Sequence, residues 1–153
     1  MLLALATTVC VTLLTIQTTP FPGPTAKFDP TRDAAADIRA AIAEARRTNR
    51  RVILDVGGEW CSWCHALDRF YAADAELQRL RDTHYVWLKV NFSTENTNDQ
   101  VLRNYPLIKG YPHLFVLDRD GKVVHSQDTA ALERGSSYDP QKMREFLQKW
   151  AGR

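Results

Sequence analysis

The stretch VILDVGGEWCSWCH, residues 52–65, places two cysteines three positions apart and a histidine directly after the second. One turn of helix brings residues at this spacing together, so Cys61 and Cys64 can act as a pair. As Cys-x-x-Cys the pattern is typical of a redox-active dithiol, and as Cys-x-x-Cys-His it is typical of c-type haem attachment. Which chemistry applies decides what the protein does.

The residues around the cysteines predict a strand followed by a helix. RVILDVGG, residues 51–58, is a short run rich in β-branched residues that ends in two glycines, a pattern that favours a buried strand. From Cys61 onwards the apolar residues change to a helical period, with Cys64 and Leu67 on one face. The motif is therefore predicted to lie at the N-terminus of a helix that follows a strand.

Apolar periodicity and turn residues predict the remaining elements. A first helix is predicted to begin with Asp29 as N-cap and Pro30 at its first position. The segments after the motif are read, in order, as a strand over 84–92, a short helix within 93–112, two strands joined by a turn at 120–121 within 113–126, a surface loop over 129–139, and a last helix from 139. This order predicts an α/β domain with a mixed sheet and helices on both of its faces.

The composition is that of one globular domain. The chain has 153 residues, of which 44% are hydrophobic and 25% are charged. The sequence has 20 basic and 18 acidic residues. It has no stretch in which basic residues are interleaved with aromatic ones, the pattern typical of proteins that bind a phosphate backbone. Nucleic acid is therefore not an expected partner.

The first 26 residues differ from the rest because they carry no charged side chain, and Lys27 is the first. The apolar part, 2–16, is shorter than the roughly 18–20 residues that a membrane-spanning helix needs, and three prolines follow it within 20–24. We expect residues 1–26 to be a signal peptide or an N-terminal hydrophobic leader, with the functional domain over 27–153. An uncleaved membrane anchor is the alternative.

Three other chemistries compete with a dithiol at the motif. A c-type haem needs a second axial ligand, and the methionine available for it, Met143, lies on the apolar stripe of the last helix. Zinc is disfavoured because the adjacent Cys64 and His65 point about 100° apart on a helix. Copper carried by the two thiolates is the more serious alternative, since soft ligands select Cu(I).

The dithiol interpretation explains the position of the motif. A thiol attacks as its thiolate, and a helix N-terminus favours that form, so Cys61 is the predicted nucleophile. Cys64, one turn further along the same face, is placed to attack the mixed disulfide and release the product. A bridge across so short a loop adds little stability, which indicates that the pair is there to react.

The segment VILDVGGEWCSWCH resembles the active-site segment of the thioredoxin family, with an Asp six residues before the first Cys and a Trp immediately before it. The resemblance implies a thioredoxin fold with a central mixed sheet of about four strands, and the activity of a thiol-disulfide oxidoreductase. It also implies that Asp55 assists the deprotonation of Cys64, and that Lys89, in LKVNF over 88–92, lies near that acid. The segment over 109–124, KGYPHLFVLDRDGKVV, resembles the one in which a cis-proline faces the disulfide, which places Tyr111 and Pro112 opposite Cys61.

The resemblance covers residues 33–150 and is strongest to exported and multidomain members of the family. It makes Trp60, Trp63, Tyr111 and Pro112 the candidate substrate-binding residues. The expected function is exchange with protein thiols and disulfides, as a periplasmic or otherwise extracytoplasmic reductase. The protein is expected to be a monomer that needs no cofactor. A redox partner protein would exchange electrons with it, and a membrane-bound electron donor is one candidate. Ser62 and Trp63 replace the usual Gly-Pro between the cysteines, and this leaves the direction of electron flow open.

Overall fold

The computed structural model describes residues 27–152, and the predicted leader over 1–26 lies outside them. Its central sheet has four strands in the order β2-β1-β3-β4. Strand β2 runs parallel to β1, whereas β3 is antiparallel to both β1 and β4. The strands are β1 (Arg51–Gly57), β2 (Tyr85–Asn91), β3 (His113–Leu117) and β4 (Val123–Asp128). The mixed four-stranded sheet predicted from the sequence is confirmed.

Helices cover both faces of the sheet and create two apolar cores. The helices are α1 (Ala34–Thr48), α2 (Ser62–Ala73), α3 (Ala75–His84), α4 (Asp99–Leu102) and α5 (Pro140–Trp150). Alternate residues of a strand point to opposite faces: Leu54 packs on the α1 side, whereas Ile53 packs on the side of α2, α3 and α5. Asp55 shares the face of Ile53, and this alternation turns its carboxylate towards the helix that carries the cysteines.

The prediction of Asp29 as the first N-cap is wrong. Helix α1 begins at Ala34, and its N-cap is Asp33, whose side chain accepts a hydrogen bond from the Ala36 N–H at 3.0 Å. The Asp29 carboxylate instead accepts from the N–H and hydroxyl of Thr31, at 2.8 and 2.7 Å. The residues after Asp29 thus form a separate turn before the helix starts.

The polar segment after the active-site helix forms a helix of its own that the sequence pattern did not predict. Asp74 has an extended ψ of 93°, which ends α2. Its side chain then accepts hydrogen bonds from the N–H groups of Glu76 and Leu77 and so caps α3. Leu77 is the buried anchor of α3, and a single buried residue gives too weak a periodic signal for prediction.

The prediction of a surface loop over 129–139 is also wrong. The segment contains a 3₁₀ turn (Thr129–Leu132) and a small antiparallel hairpin of β5 (Glu133–Arg134) and β6 (Ser137–Tyr138). Leu132 and Tyr138 are buried in the core formed with α2 and α5. These two apolar side chains hold an otherwise polar segment against the domain. Asp139 then caps α5 as the sequence predicts.

The predicted hairpin of β3 and β4 is confirmed, with Gly121 at its turn in the left-handed region (φ 84°). Within residues 27–152, none of the helices is long and apolar enough to cross a membrane.

Candidate active site

Cys61 and Cys64 form a disulfide at the N-terminus of α2. Cys61 is the N-cap residue, and its sulfur accepts a hydrogen bond from the Cys64 N–H at 3.1 Å. Cys61 is 4% exposed and Cys64 is 1% exposed. Both sulfurs are thus enclosed, and Cys61 is the more accessible of the two. The strand-then-helix setting predicted for the motif is confirmed.

Asp55 lies buried on β1, on the face that carries α2. Its Oδ2 accepts hydrogen bonds from Trp87 Nε1 at 3.2 Å and from Lys89 Nζ at 3.3 Å. Its Oδ1 has no hydrogen-bond partner among the described residues. Burial raises the pKa of Asp55, and the opposing charge and hydrogen bonds of Lys89 and Trp87 do not cancel that effect. A carboxyl group in this state can hold and release a proton nearer neutrality than an exposed one.

Lys89 lies directly across from Asp55 in the parallel register of β1 and β2. Its Nζ also donates to Asp68 Oδ1 on α2 at 2.7 Å. Burial alone would lower the pKa of Lys89, but the charge of Asp55 and the hydrogen bond and charge of Asp68 outweigh that effect and raise it. The ammonium therefore stays charged between two carboxyl groups. The structure brings Asp55 and Lys89 together, as the sequence resemblance implies.

Sequence reasoning missed Asp68 as a member of this cluster. Asp68 follows Cys61 by seven positions and Cys64 by four, so helical spacing places it on the face of the cysteines. That spacing is the signal that could have found it.

Two further residues enclose the disulfide without a sequence signal. The ring of Phe28, which precedes α1, packs in one apolar cluster with Cys61 and Cys64. Gly57, at the end of β1, has no room for a side chain, because a Cβ there would overlap the Cys64 sulfur. The sequence pattern identifies Gly57 only as a strand end, and Phe28 stands outside every predicted element.

The predicted substrate-binding aromatic residues take different positions. Trp60 is 58% exposed, and its indole N–H donates to the Phe92 carbonyl at 2.7 Å. Tyr111 meets Trp60 edge-on, with ring centroids 5.5 Å apart, and stacks on Phe92 at 4.9 Å. Trp63 is half-buried and packs edge-on against Tyr138. An aromatic surface of Trp60, Tyr111 and Phe92 thus lies beside the disulfide.

The Tyr111–Pro112 peptide bond is cis. Tyr111 packs against the cluster of Phe28 and the two cysteines, so this segment lies beside the disulfide. Pro112 is buried, and its carbonyl accepts a hydrogen bond from the Thr129 hydroxyl at 2.6 Å. This bond ties the segment to the 3₁₀ turn that follows β4.

A pocket of about 680 Å³ lies beside Trp60. Its apolar walls come from Phe28, Pro30, Trp60 and Phe92, and the acidic Glu59 lies on its lining. Polar residues of the loop after β2 complete the lining: Ser93, Thr94, Glu95 and Thr97. The pocket is large enough for a bulky apolar side chain and lies next to the residue that precedes Cys61.

The residues weighed for haem or metal binding are placed as follows. Met143 is fully buried in the apolar core on α5, which confirms its interpretation as a core residue. His65 Nε2 lies 2.8 Å from the Glu59 carbonyl oxygen and remains partly exposed. Over residues 27–152, no group of three or more His, Cys, Asp and Glu side chains is arranged to hold a metal ion.

Sequence comparison identifies one family. The family model described as thioredoxin-like matches residues 33–119. The thiol:disulfide interchange protein DsbD of Colwellia psychrerythraea is 20% identical over 105 residues, which make up 67% of this chain and 17% of that protein. The chain thus corresponds to a small part of that curated relative.

Solved structures confirm the predicted fold. A disulphide isomerase from Xylella fastidiosa Temecula1 is similar with a TM-score of 0.67 and 25% identity, over 80% of this chain and 94% of that one. The C-terminal domain of Neisseria meningitidis DsbD, in its oxidised form, is similar with a TM-score of 0.61 and 20% identity, over 82% of this chain and 99% of that one.

Proposed function

The chain belongs to the thioredoxin-like family and is a thiol-disulfide oxidoreductase whose active site is the Cys61–Cys64 pair, and on this basis we propose that it reduces disulfides of protein substrates outside the cytoplasm. The observation that carries this proposal is the disulfide at the start of α2, enclosed by apolar side chains and lying on the sheet face that holds the buried Asp55 and Lys89.

The proposed reaction has two exchange steps. The Cys61 thiolate attacks a substrate disulfide, forms a Cys61–substrate bond and releases the first substrate sulfur, which takes up a proton. The Cys64 thiolate then attacks the Cys61 sulfur and releases the second substrate thiol. The substrate gains two electrons and two protons, and the enzyme is left with its Cys61–Cys64 disulfide.

Asp55 and Lys89 serve the second step in this proposal. Cys64 is enclosed, and burial favours its neutral thiol over the thiolate. A base is therefore needed, and Asp55 is the carboxylate that accepts the proton. Lys89 sets the charge beside Asp55, and Asp68 holds the ammonium in place.

The substrate backbone is proposed to lie across the segment of Tyr111 and Pro112, with Trp60 and Trp63 on either side of the disulfide. The exposed indole of Trp60 supports this assignment, since aromatic side chains contribute much of the contact energy at interfaces. The pocket beside Trp60 would take a bulky apolar side chain of the same substrate.

Burial of the cysteines supports the reducing direction. A strongly oxidising disulfide is one whose reduced form is stabilised, chiefly as a thiolate. Here the Cys64 sulfur is fully enclosed and packs in an apolar cluster, which disfavours a thiolate at this cysteine and so favours release of electrons by the dithiol. A redox partner protein must then restore the dithiol, and a membrane-bound electron donor is one candidate.

The reduction potential tests the direction. The purified chain is equilibrated in glutathione buffers, and its redox state is measured by thiol alkylation. We expect a potential of about −270 mV, as in thioredoxin, whereas a potential of about −120 mV would identify an oxidant. If the pair does not titrate at all, exchange is contradicted, and an anaerobic Cu(I) titration then tests copper handling by the two thiols.

A fusion tests the compartment. Alkaline phosphatase, which needs an oxidising compartment for its disulfides, is joined after Lys27 and expressed in a bacterium. The uncharged leader over 1–26 predicts an active enzyme. The control lacks 2–26 and is expected to be inactive. Equal activity of the two fusions would contradict export.

A further inference from the structure

Phe28 contacts the redox site at two places, although no sequence pattern identified it as a site residue. Its side chain is 3% exposed and packs in one cluster with Cys61 and Cys64. Its ring also lies under the charged end of Lys89, with Nζ 4.1 Å from the ring centroid. One side chain thus touches both the disulfide and the charged cluster next to it.

The space that Phe28 occupies is left open by Gly57. A Cβ at Gly57 would lie 3.1 Å from the end of the Phe28 ring and would overlap the Cys64 sulfur. An aromatic side chain from the segment before α1 therefore covers a side of the disulfide that β1 leaves bare. Phe28 also lies outside residues 33–119, which match the family model.

Hydrogen bonds at both ends hold this segment in place. The Phe28 N–H donates to Glu59 Oε1 at 2.8 Å, which ties it to the turn just before Cys61. The Pro30 carbonyl accepts from Asn96 Nδ2 at 2.8 Å, which ties it to the loop after β2. The ring is therefore positioned by backbone contacts to both neighbouring loops.

We infer that Phe28 is a positioning residue of the redox site, whose ring holds the Lys89 ammonium between its carboxylates and keeps water from the Cys64 sulfur. The inference rests on the proposed exchange function. The ammonium is attracted by the face of the ring, an interaction that strengthens when water is excluded. The same ring presents only carbon atoms to Cys64, so the reduced enzyme keeps a neutral thiol there.

Removal of the Phe28 ring is therefore expected to shift the redox equilibrium of the cysteine pair in one direction. With alanine at position 28, water can reach Cys64 and stabilise its thiolate in the reduced enzyme. The equilibrium measured is enzyme disulfide plus two glutathione thiols against enzyme dithiol plus glutathione disulfide, which balances two electrons and two protons. Stabilisation of the reduced form shifts it towards the enzyme dithiol. Because an ordinary thiol ionises at about pH 8.5, the measurement is made at about pH 9.5, where we expect a shift of at least fivefold for Phe28→Ala.

A second readout reports on Lys89. Its ammonium is enclosed and paired, so acetylation of this amine should be slow in the wild-type chain. We expect Phe28→Ala to increase acetylation of Lys89 at least tenfold, measured by mass spectrometry under native conditions. Phe28→Leu keeps an apolar cover but removes the aromatic face. It should leave the glutathione equilibrium within twofold of wild type and raise acetylation to an intermediate rate.

Phe146→Ala is the matched control. Phe146 is a phenylalanine of similar burial, 5% exposed, in the core on α5. Phe146→Ala should lower the free energy of unfolding without changing the glutathione equilibrium or the acetylation rate of Lys89. If Phe28→Ala and Phe28→Leu match wild type in both measurements, the inference is overturned. If the wild-type pair itself does not titrate with glutathione, the proposed function fails instead, so the two failures are distinguishable.

Discussion

Asp55 is a carboxylate placed where apolar side chains would otherwise pack. Its strand neighbours are valine, isoleucine and leucine, and one of its oxygens has no hydrogen-bond partner among the described residues. Burial raises its pKa, so the native state binds the proton more tightly than the unfolded chain does. Its contribution to stability is therefore fully present below the unfolded pKa, about 3.8, and is lost as the pH rises through the higher folded pKa.

Asp55→Asn should therefore stabilise the fold at neutral pH. We expect the free energy of unfolding at pH 7 to rise by about 1 kcal/mol, since the raised pKa of Asp55 shows that the fold disfavours its ionised form, and Lys89 keeps Asp68 as an ion-pair partner in the variant. The gain should vanish near pH 3, where the carboxyl is protonated in both states. Urea unfolding at the two pH values measures this, with the exposed Asp99→Asn as control. A loss of stability at pH 7 would show that the pair with Lys89 is net stabilising.

The same substitution should slow exchange. Without a proton acceptor for Cys64, the second step loses general-base assistance, which is typically worth about 10²-fold or more. Asp55→Asn is expected to accumulate the Cys61–substrate mixed disulfide, visible by quenching with acid and non-reducing electrophoresis. Attack by Cys61 itself should proceed at a rate close to wild type. Fast resolution in the variant would remove Asp55 from the mechanism.

Gly57 offers a test of packing at the disulfide. Gly57→Ala places a Cβ against the Cys64 sulfur and the Phe28 ring. Overpacking of this kind costs about 1–3 kcal/mol, measured as the change in free energy of unfolding of the oxidised protein. Gly110→Ala is the matched control, because no atom beyond its two chain neighbours lies within 4 Å of its added Cβ. Equal stability of the two variants would mean that the Cys64 sulfur and the Phe28 ring can shift to accept the added Cβ at little cost.

At the scale of elements, helix caps decide where α2 and α3 separate. Asp74 ends one helix and caps the next through the N–H groups of Glu76 and Leu77. Asp74→Ala should cost about 1 kcal/mol of stability, measured by urea unfolding, because two N–H groups lose their acceptor. Asp74→Asn keeps an acceptor oxygen and should restore most of the loss. A neutral Asp74→Ala would indicate that tertiary packing alone sets the boundary.

Caps also show which element boundaries a sequence can reveal. Asp139 with Pro140 predicts the start of α5 correctly, since nothing competes with that cap. The same Asp-Pro pair at 29–30 misleads, because Asp33 offers a second N-cap and the buried Phe28 holds the preceding segment against the active site. The short hairpin of β5 and β6 escapes prediction because its two-residue strands carry no measurable alternation.

At the scale of the whole molecule, the disulfide contributes less stability than a bridge across a longer loop would. It closes a loop between residues three positions apart, and the chain-entropy relation assigns such a loop about 2 kcal/mol at 25 °C. Reduction is therefore expected to lower the free energy of unfolding by no more than about that amount and to leave the far-ultraviolet circular dichroism unchanged. Urea unfolding with and without a phosphine reductant measures this. Unfolding on reduction would make the bridge structural.

By itself, the sequence determined the features that depend on neighbours along the chain. The β-branched run before the motif, the helical period after it and the Asp-Gly turn of the hairpin each specify local structure, because backbone preferences act over a few residues. The resemblance to the thioredoxin family added the overall fold. Together these features placed Cys61 and Cys64 at a helix N-terminus above a sheet.

Only the tertiary structure showed which further residues join the site around that disulfide. The resemblance implied that Lys89 lies near Asp55, whereas the packing of α2 on the sheet is what brings Asp68 to the same ammonium. Phe28 arrives from before the first helix, into space left by Gly57. Such contacts follow from the packing of whole elements against each other, and no local pattern encodes them.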